Sequence, residues 1–276
     1  MLLVAFIFGV FGLLIGSFLN VLVLRKGIEP LTGRSHCSSC SYTLEWFDLV
    51  PVFSWILLRG RCRKCGSGIS AQYPLVEFTN GVLYALIGGA IGLHIFEASF
   101  IEYVVIVLRL CIVSLLLAIT LYDFRHTIIP DEWAYTFAGL ALFLAYVFPL
   151  SPTTYFLLPI LAGPLAAFPL FLLWFISGGR WMGLGDPKLA LGIGWLLGFP
   201  AGLIAIFASF IIGSLILVPL LLSEKIITHM RTYQTAQTGL TMKSEVPFGP
   251  FLVAAALLLW FFQLYGISYP LDVLGL

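Results

Sequence analysis

The sequence predicts an all-α polytopic membrane protein, with about eight transmembrane helices and a small cytoplasmic zinc-binding insert between the first two. Three observations carry this prediction. Of 276 residues, 61% are hydrophobic and 10% charged, and the mean hydropathy is +1.06, whereas a soluble domain carries roughly 25% charged residues. The apolar residues form eight runs separated by Gly, Pro and short polar clusters. Nearly all basic residues then fall in loops on one side of the membrane. This composition excludes a disordered chain, a nucleic-acid-binding module and almost any soluble enzyme.

The first run, 1–24, lacks the basic start and small-residue cleavage site of a secretory signal and is long enough to span, so it stays in the chain as a helix. Further runs cover 74–93, 100–122, 133–150 and 155–176, then 189–199, 201–222 and 247–267. The sixth is short and Gly-rich, and its boundary with the seventh lies around Phe199-Pro200-Ala201. Neither a convincing repeat nor a low-complexity segment is visible.

Of 14 Lys and Arg residues, seven (Arg25, Lys26, Arg34, Arg59, Arg61, Arg63, Lys64) lie between the first two runs. Arg125 follows the third run, Arg180 and Lys188 flank the turn into the sixth, and Lys225, Arg231 and Lys243 fill the seventh loop. All of these are odd-numbered loops, and Arg109 alone lies inside a run, where Glu102 or Glu97 is its expected partner. The positive-inside rule makes odd loops cytoplasmic and both termini external. The expected organisation is a first helix at 1–24, a cytoplasmic loop at 25–72 and a seven-helix core at 73–276.

Within that loop, His36-Cys37-Ser38-Ser39-Cys40 is followed after 21 residues by Cys62-Arg63-Lys64-Cys65-Gly66. Two C-x2-C knuckles at this separation are the signature of a tetrahedral four-cysteine zinc site formed by Cys37, Cys40, Cys62 and Cys65. Two disulfides are the alternative, which a reducing cytosolic location disfavours. Four thiolates leave no open coordination position, so the zinc is structural, and a loop this small needs it for folding energy. Cys111, inside the third run, reads as packing.

Carboxylates at a bilayer are costly and default to functional candidates. Asp123 ends the third run and Asp186 opens the sixth in Met182-Gly183-Leu184-Gly185-Asp186-Pro187-Lys188. Those two runs cross in opposite senses, so both aspartates share the cytoplasmic face. Two carboxylates brought together at a partly desolvated site share one proton, and such a pair supports aspartic-protease chemistry. Gly183 and Gly185 let the backbone approach a substrate strand. Two simpler readings stay open: Asp186 before Pro187 fits a helix N-cap, and Asp123 with Arg125 fits a solvated interfacial pair.

The Gly183–Lys188 segment resembles the G-x-G-D-x-K motif of type IV prepilin peptidases, membrane aspartic peptidases, and Asp123 with Ile129-Pro130-Asp131 is similar to the family's other aspartate motif. The resemblance extends to Gly16-Ser17-Phe18-Leu19-Asn20-Val21, the paired knuckles, Gln72-Tyr73-Pro74-Leu75-Val76-Glu77 and Pro247-Phe248-Gly249-Pro250-Phe251. These cover nearly the whole chain in the family's order. Pro187 departs from the pattern, where the family more often has a flexible or apolar residue. The resemblance implies that Asp123 and Asp186 are the catalytic pair and that type IV prepilins or pseudopilins are the substrates. It also implies N-methylation of the new amino terminus from S-adenosylmethionine, although no strand followed by G-x-G-x-x-G occurs.

Lesser candidates follow. Glu77 either lines the site or methyl-donor pocket or pairs with a loop Arg. Lys188 either tunes an aspartate or binds lipid phosphate. Asn20 hydrogen-bonds substrate or a neighbouring helix. The rival from another class is a proton- or cation-coupled transporter with the cysteine loop as sensor, which would place its carboxylates nearer the bilayer midplane within inverted repeats. A presenilin-like peptidase shares the Gly-x-Gly-Asp logic without the cysteine loop. The expected location is the bacterial inner membrane, in contact with membrane lipids and with no nucleic-acid partner.

Overall fold

The computed structural model describes residues 1–27, 30, 32–147, 157–230 and 247–267. The expected loop around 151–154, and Arg231 and Lys243 of the seventh loop, lie outside the described residues. Among those described, the regular structure is helical, with two isolated β-bridges in the irregular first loop. Its long helices are α1 (Leu2–Arg25), α3 (Gln72–Ile91), α4 (Phe100–His126), α5 (Asp131–Val147), α6 (Leu157–Ser177), α7 (Gly185–Leu197), α8 (Ala201–Met230) and α9 (Gly249–Leu264), with a short α2 (Phe53–Leu57) in the first loop.

The eight apolar runs thus become eight helices. Leu2–Arg25, Gln72–Ile91, Phe100–His126, Pro159–Ser177 and Ala201–Pro219 are long and apolar enough to cross a membrane. The other three, α5, α7 and α9, have 17, 13 and 16 residues. At 1.5 Å per residue, α7 reaches only about 20 Å, short of a hydrocarbon core of about 30 Å.

The chain divides into two compact units, Met1–Leu121 with the C-terminal end from Gln263, and Tyr122–Phe262. In the first unit, α1 packs along α3. The Gly12-x3-Gly16 spacing makes this close approach possible: a Cβ on Gly12 would lie 2.7 Å from Tyr84 Cβ, and one on Gly16 2.7 Å from Glu77 Cα. With no hydrophobic driving force between helices in lipid, side-chain amides and hydroxyls add the remaining attraction. Asn80 Nδ2 donates to the Gly12 carbonyl at 2.7 Å, and the Tyr84 and Ser114 hydroxyls meet at 2.9 Å, joining α3 to α4. Ser99 and Glu102 close a capping box at the start of α4: the Ser99 N–H and hydroxyl donate to the Glu102 carboxylate at 2.6 and 2.9 Å. Glu102, expected as a partner of Arg109, is engaged in this cap.

In the second unit α7 is the buried element, packed against α5, α6 and α8. Leu189, Ala190, Ile193 and Gly194 on it are buried. A Cβ on Gly194 would lie 2.6 Å from the Ala162 carbonyl oxygen, so the glycines of the sixth run serve close helix packing. Gly198, at φ 75, ends α7 before α8 begins at Ala201.

Gly12→Leu therefore forces α1 from α3 and costs about 1–3 kcal/mol, the usual range for overpacking. Gly139→Ala, where an added Cβ meets nothing within 4 Å, changes stability by less than about 1 kcal/mol. Thermal unfolding of the two variants in one detergent separates them; equal midpoints would refute the close-packing account.

Candidate active site

Asp123 sits one turn before the end of α4. Thr127 donates its N–H to the Asp123 carbonyl at 2.8 Å and turns left-handed at φ 52, which stops the helix. The chain then runs through Ile129, which is buried, into α5 at Asp131, whose side chain stays exposed. Asp186 is the second residue of α7. The helix begins at Gly185 with Leu184 at the cap position and no side-chain capping hydrogen bond, so Asp186 is not spent as an N-cap. Asp123 is likewise no solvated partner of Arg125, being only 4% exposed. Asp186 is 9% exposed, and the two carboxylates are near enough for the charge of one to act on the other.

The Asp123 carboxylate has a dedicated donor. Gly249, the first residue of α9, gives its backbone N–H to Asp123 Oδ2 at 3.1 Å. The first N–H groups of a helix have no intrahelical acceptor and sit at the positive end of its dipole, so a carboxylate there is doubly favoured. The geometry also explains the residue type: a Cβ at 249 would lie 2.6 Å from Asp123 Oδ2 and 3.3 Å from Ile129 Cδ1. Sequence reasoning named Pro247-Phe248-Gly249-Pro250 only as part of the resemblance. A Gly held between Phe248 and Pro250 at a helix start was the available signal.

The two glycines of the 183–186 segment have different tasks. A Cβ on Gly185 would lie 2.9 Å from Ile129 Cβ, so its small size lets the start of α7 pack onto the segment that follows Asp123. A Cβ on Gly183 meets only the Gly185 nitrogen, at 3.9 Å, which leaves open space beside it. Lys188 donates to Asp131 Oδ1 at 2.6 Å and lies 5.3 Å from the centroid of the Tyr135 ring, tying α7 to α5 beside Asp186.

Two other candidates make their contacts within the first unit. Glu77, buried in α3, accepts the Val52 backbone N–H at 2.7 Å, so its partner is loop backbone. Asn20 donates to the Tyr73 carbonyl at 3.2 Å and thereby joins α1 to the start of α3.

The four cysteines of the first loop converge. Their sulfurs all lie within 4.8 Å of one another, with Cys37–Cys65 at 3.8 Å and Cys40–Cys62 at 4.0 Å. A tetrahedron of thiolates 2.3 Å from a metal has edges of about 3.8 Å, whereas a disulfide needs about 2.05 Å. The knuckles share one backbone design. Cys37 N–H donates to Tyr42 O and Cys62 N–H to Ser67 O, while Ser41 and Gly66 return N–H bonds to the carbonyls of Cys37 and Cys62. Both returning residues take positive φ, 55 and 72. The Ser67 hydroxyl lies 3.1 Å from Cys65 Sγ and 3.6 Å from Cys37 Sγ. Its hydrogen bond, ahead of those from the Ser39 and Cys40 backbone, lowers the Cys37 thiol from 9.0 to about 6. The donor set and its spacing fit a metal ion.

Residues 110–218, which hold both aspartates, match the type IV leader peptidase family, and residues 10–90, which hold the cysteines, match the bacterial peptidase A24 N-terminal domain. A prepilin leader peptidase/N-methyltransferase of Pectobacterium carotovorum subsp. carotovorum is 32% identical over 70% of this chain and 75% of its own length. The chain belongs to the type IV leader peptidase family. A member from Aeromonas salmonicida, with the same description, is 26% identical over 94% of this chain and 89% of its own. One from Myxococcus xanthus is 33% identical over 72% of this chain, and the match spans 58% of that protein. No solved structure matches. Gly249 lies outside both matched segments, and the fold brings its N–H to Asp123.

Gly249→Ala therefore displaces the Asp123 carboxylate and lowers peptidase turnover about 100-fold, the scale of a misplacement of about 1 Å. Gly183→Ala, projecting into open space, raises KM with kcat held. Steady-state kinetics on both variants check this, and a Gly249→Ala enzyme with wild-type kcat would remove Gly249 from the site.

Proposed function

We propose that this chain is an integral-membrane aspartic endopeptidase that cleaves the leader peptide of type IV prepilins and pseudopilins. In the same reading it N-methylates the new amino terminus from S-adenosylmethionine. The observation that carries the proposal is the burial of two carboxylates, Asp123 and Asp186, in one apolar helical unit, where Ile129 borders both Gly249, the donor to Asp123, and Gly185 beside Asp186. Such a pair holds one proton between two groups. The ionised member takes a proton from water as its oxygen attacks the scissile carbonyl, and the protonated member gives its proton to the carbonyl oxygen. Collapse of the tetrahedral species then breaks the C–N bond and protonates the leaving amine. Gly249 occupies one oxygen of Asp123, so proton traffic runs through the other. Gly183 lines the approach of the substrate backbone, Gly185 seats the start of α7 against Ile129, and Lys188 holds it through Asp131.

Both aspartates lie at helix ends, Asp123 four residues after Ile119 and one turn from the close of α4, Asp186 at the second position of α7. A transporter would carry its coupling carboxylates near the midplane, and no relative supports that reading. The 13 basic residues of the odd loops support a topology in which the aspartates, the metal loop at 25–72 and the seven-helix core at 73–276 present their working face to the cytosol, with both termini outside, in the bacterial inner membrane. The four cysteines hold a structural zinc ion, which supplies folding energy to a loop with almost no apolar core and takes no part in hydrolysis.

Incubation with a prepilin, read by intact mass with and without S-adenosylmethionine, tests both activities at once. The expected products are a shortened pilin and, with the methyl donor, the same species one methyl heavier. Asp123→Asn and Asp186→Asn each lower cleavage by about 10²–10⁴-fold, the contribution of a positioned acid or base; near wild-type cutting by either variant would exclude that residue. Elemental analysis of protein purified without chelator should return one zinc per chain. A metal-free loop holding two disulfides would instead overturn both the site and its cytosolic placement.

A further inference from the structure

The first loop exposes far more apolar surface than a solvated insert of its size should. Trp46 is 76% exposed, Phe53 61%, Ile56 58% and Leu57 82%, and Phe47, Leu49 and Val50 are exposed beside them. Phe53, Ile56 and Leu57 fall at i, i+3 and i+4, one face of α2. The opposite side of α2 is held inward: Trp55 Nε1 donates to the Ile69 carbonyl at 3.1 Å, and a Cβ on Gly60 would lie 2.9 Å from the Trp55 ring. The outward face is therefore set by the loop's own packing.

Two features say what covers it. The first is depth. The Val52 N–H, immediately before α2, is bound at 2.7 Å to Glu77. Glu77 lies five residues into the membrane-crossing helix Gln72–Ile91, about 7–8 Å along its axis. Leu75 and Phe78, beside Glu77 on that helix, are 65% and 58% exposed, as lipid-facing residues of a span are. Val52 holds this position at φ 63, a conformation that a β-branched residue rarely adopts. The second feature is charge. The apolar face leads directly into Arg59, Arg61, Arg63 and Lys64, all exposed, with Arg63 held by Asp48 at 2.8 Å. Apolar side chains followed by a basic cluster, pinned some 5–10 Å into a span, match the composition of elements that lie in the headgroup–acyl boundary of an anionic leaflet.

We infer that residues 46–57 form an interfacial membrane-insertion element, with Trp46, Phe53, Ile56 and Leu57 entering the anionic leaflet that α1 and α3 cross, and Arg59, Arg61 and Lys64 binding its phosphates. The inference does not rest on the peptidase reading, and cleavage is not its readout. Glu77 then acts as the anchor that sets insertion depth through Val52.

The full-length protein, reconstituted into nanodiscs without prepilin, is footprinted with hydroxyl radicals and read residue by residue. Trp46, Phe53 and Leu57 should label several-fold more slowly in phosphatidylglycerol discs than in phosphatidylcholine discs. Arg59→Gln/Arg61→Gln should erase that difference, and Phe53→Ser/Leu57→Ser should return Trp46 to fast labelling in phosphatidylglycerol. Both double variants change exposed positions, and retained metal, measured by elemental analysis, shows the loop still folded. Equal, fast labelling in both lipids overturns the inference. So does protection that arises only when prepilin is added, which would give this face to the substrate's hydrophobic helix.

Discussion

A carboxylate inside an apolar helical unit is expensive unless a donor is aimed at it. For Asp123 that donor is the Gly249 N–H, and much of the second unit is arranged around the contact. Residue 249 has to lack a Cβ, because Asp123 Oδ2 occupies its place. It also has to stand at a helix start, because only there is a backbone N–H left without an internal acceptor. Ile129 fills the remaining space, touching the Cβ positions of both Gly185 and Gly249. The α4 helix must stop at Thr127 so that the chain can bring Ile129 back beside Asp123. One hydrogen bond thus constrains four separated parts of the sequence.

The second aspartate depends on the same packing by another route. Helix α7 is too short to cross a bilayer alone and is held inside α5, α6 and α8 by small residues that allow near contact of backbones. Its polar start is then fixed in place instead of being drawn into water. The Lys188–Asp131 pair adds definition more than energy. With Asp131 64% exposed, solvent screening keeps its contribution below about 1 kcal/mol. Its value lies in setting the orientation of the turn that presents Asp186.

The first unit solves a different problem. Its insert has few buried apolar side chains, and two knuckles of like backbone design bring four sulfurs to a spacing that fits a metal ion. The same shortage of core leaves Trp46, Phe53 and Leu57 outside. Glu77, buried in a span, ties this insert to α3 through a single backbone N–H.

Much of this was legible before any fold was seen, because the bilayer imposes simple rules. A chain with 10% charged residues in which eight apolar runs leave 13 of 14 basic groups in odd-numbered loops has few architectures open to it. The cysteine quartet was equally plain, since each C-x2-C turn is a local structure and its ligands are neighbours in sequence. Asp123 and Asp186 stood out because carboxylates are rare where lipid begins. Local pattern could not choose between Asp186 as a cap and Asp186 as a free carboxylate, and the start of α7 one residue earlier, at Gly185, decided it. Nor could it distinguish Gly183, which faces open space, from Gly185, which yields to Ile129. The pairing of Glu77 with Val52 and of Asp123 with Gly249 joins residues 25 and 126 positions apart. Periodicity and composition report which residues meet lipid or water; they carry no information about which distant N–H reaches which carboxylate. That depends on the packing of several helices at once.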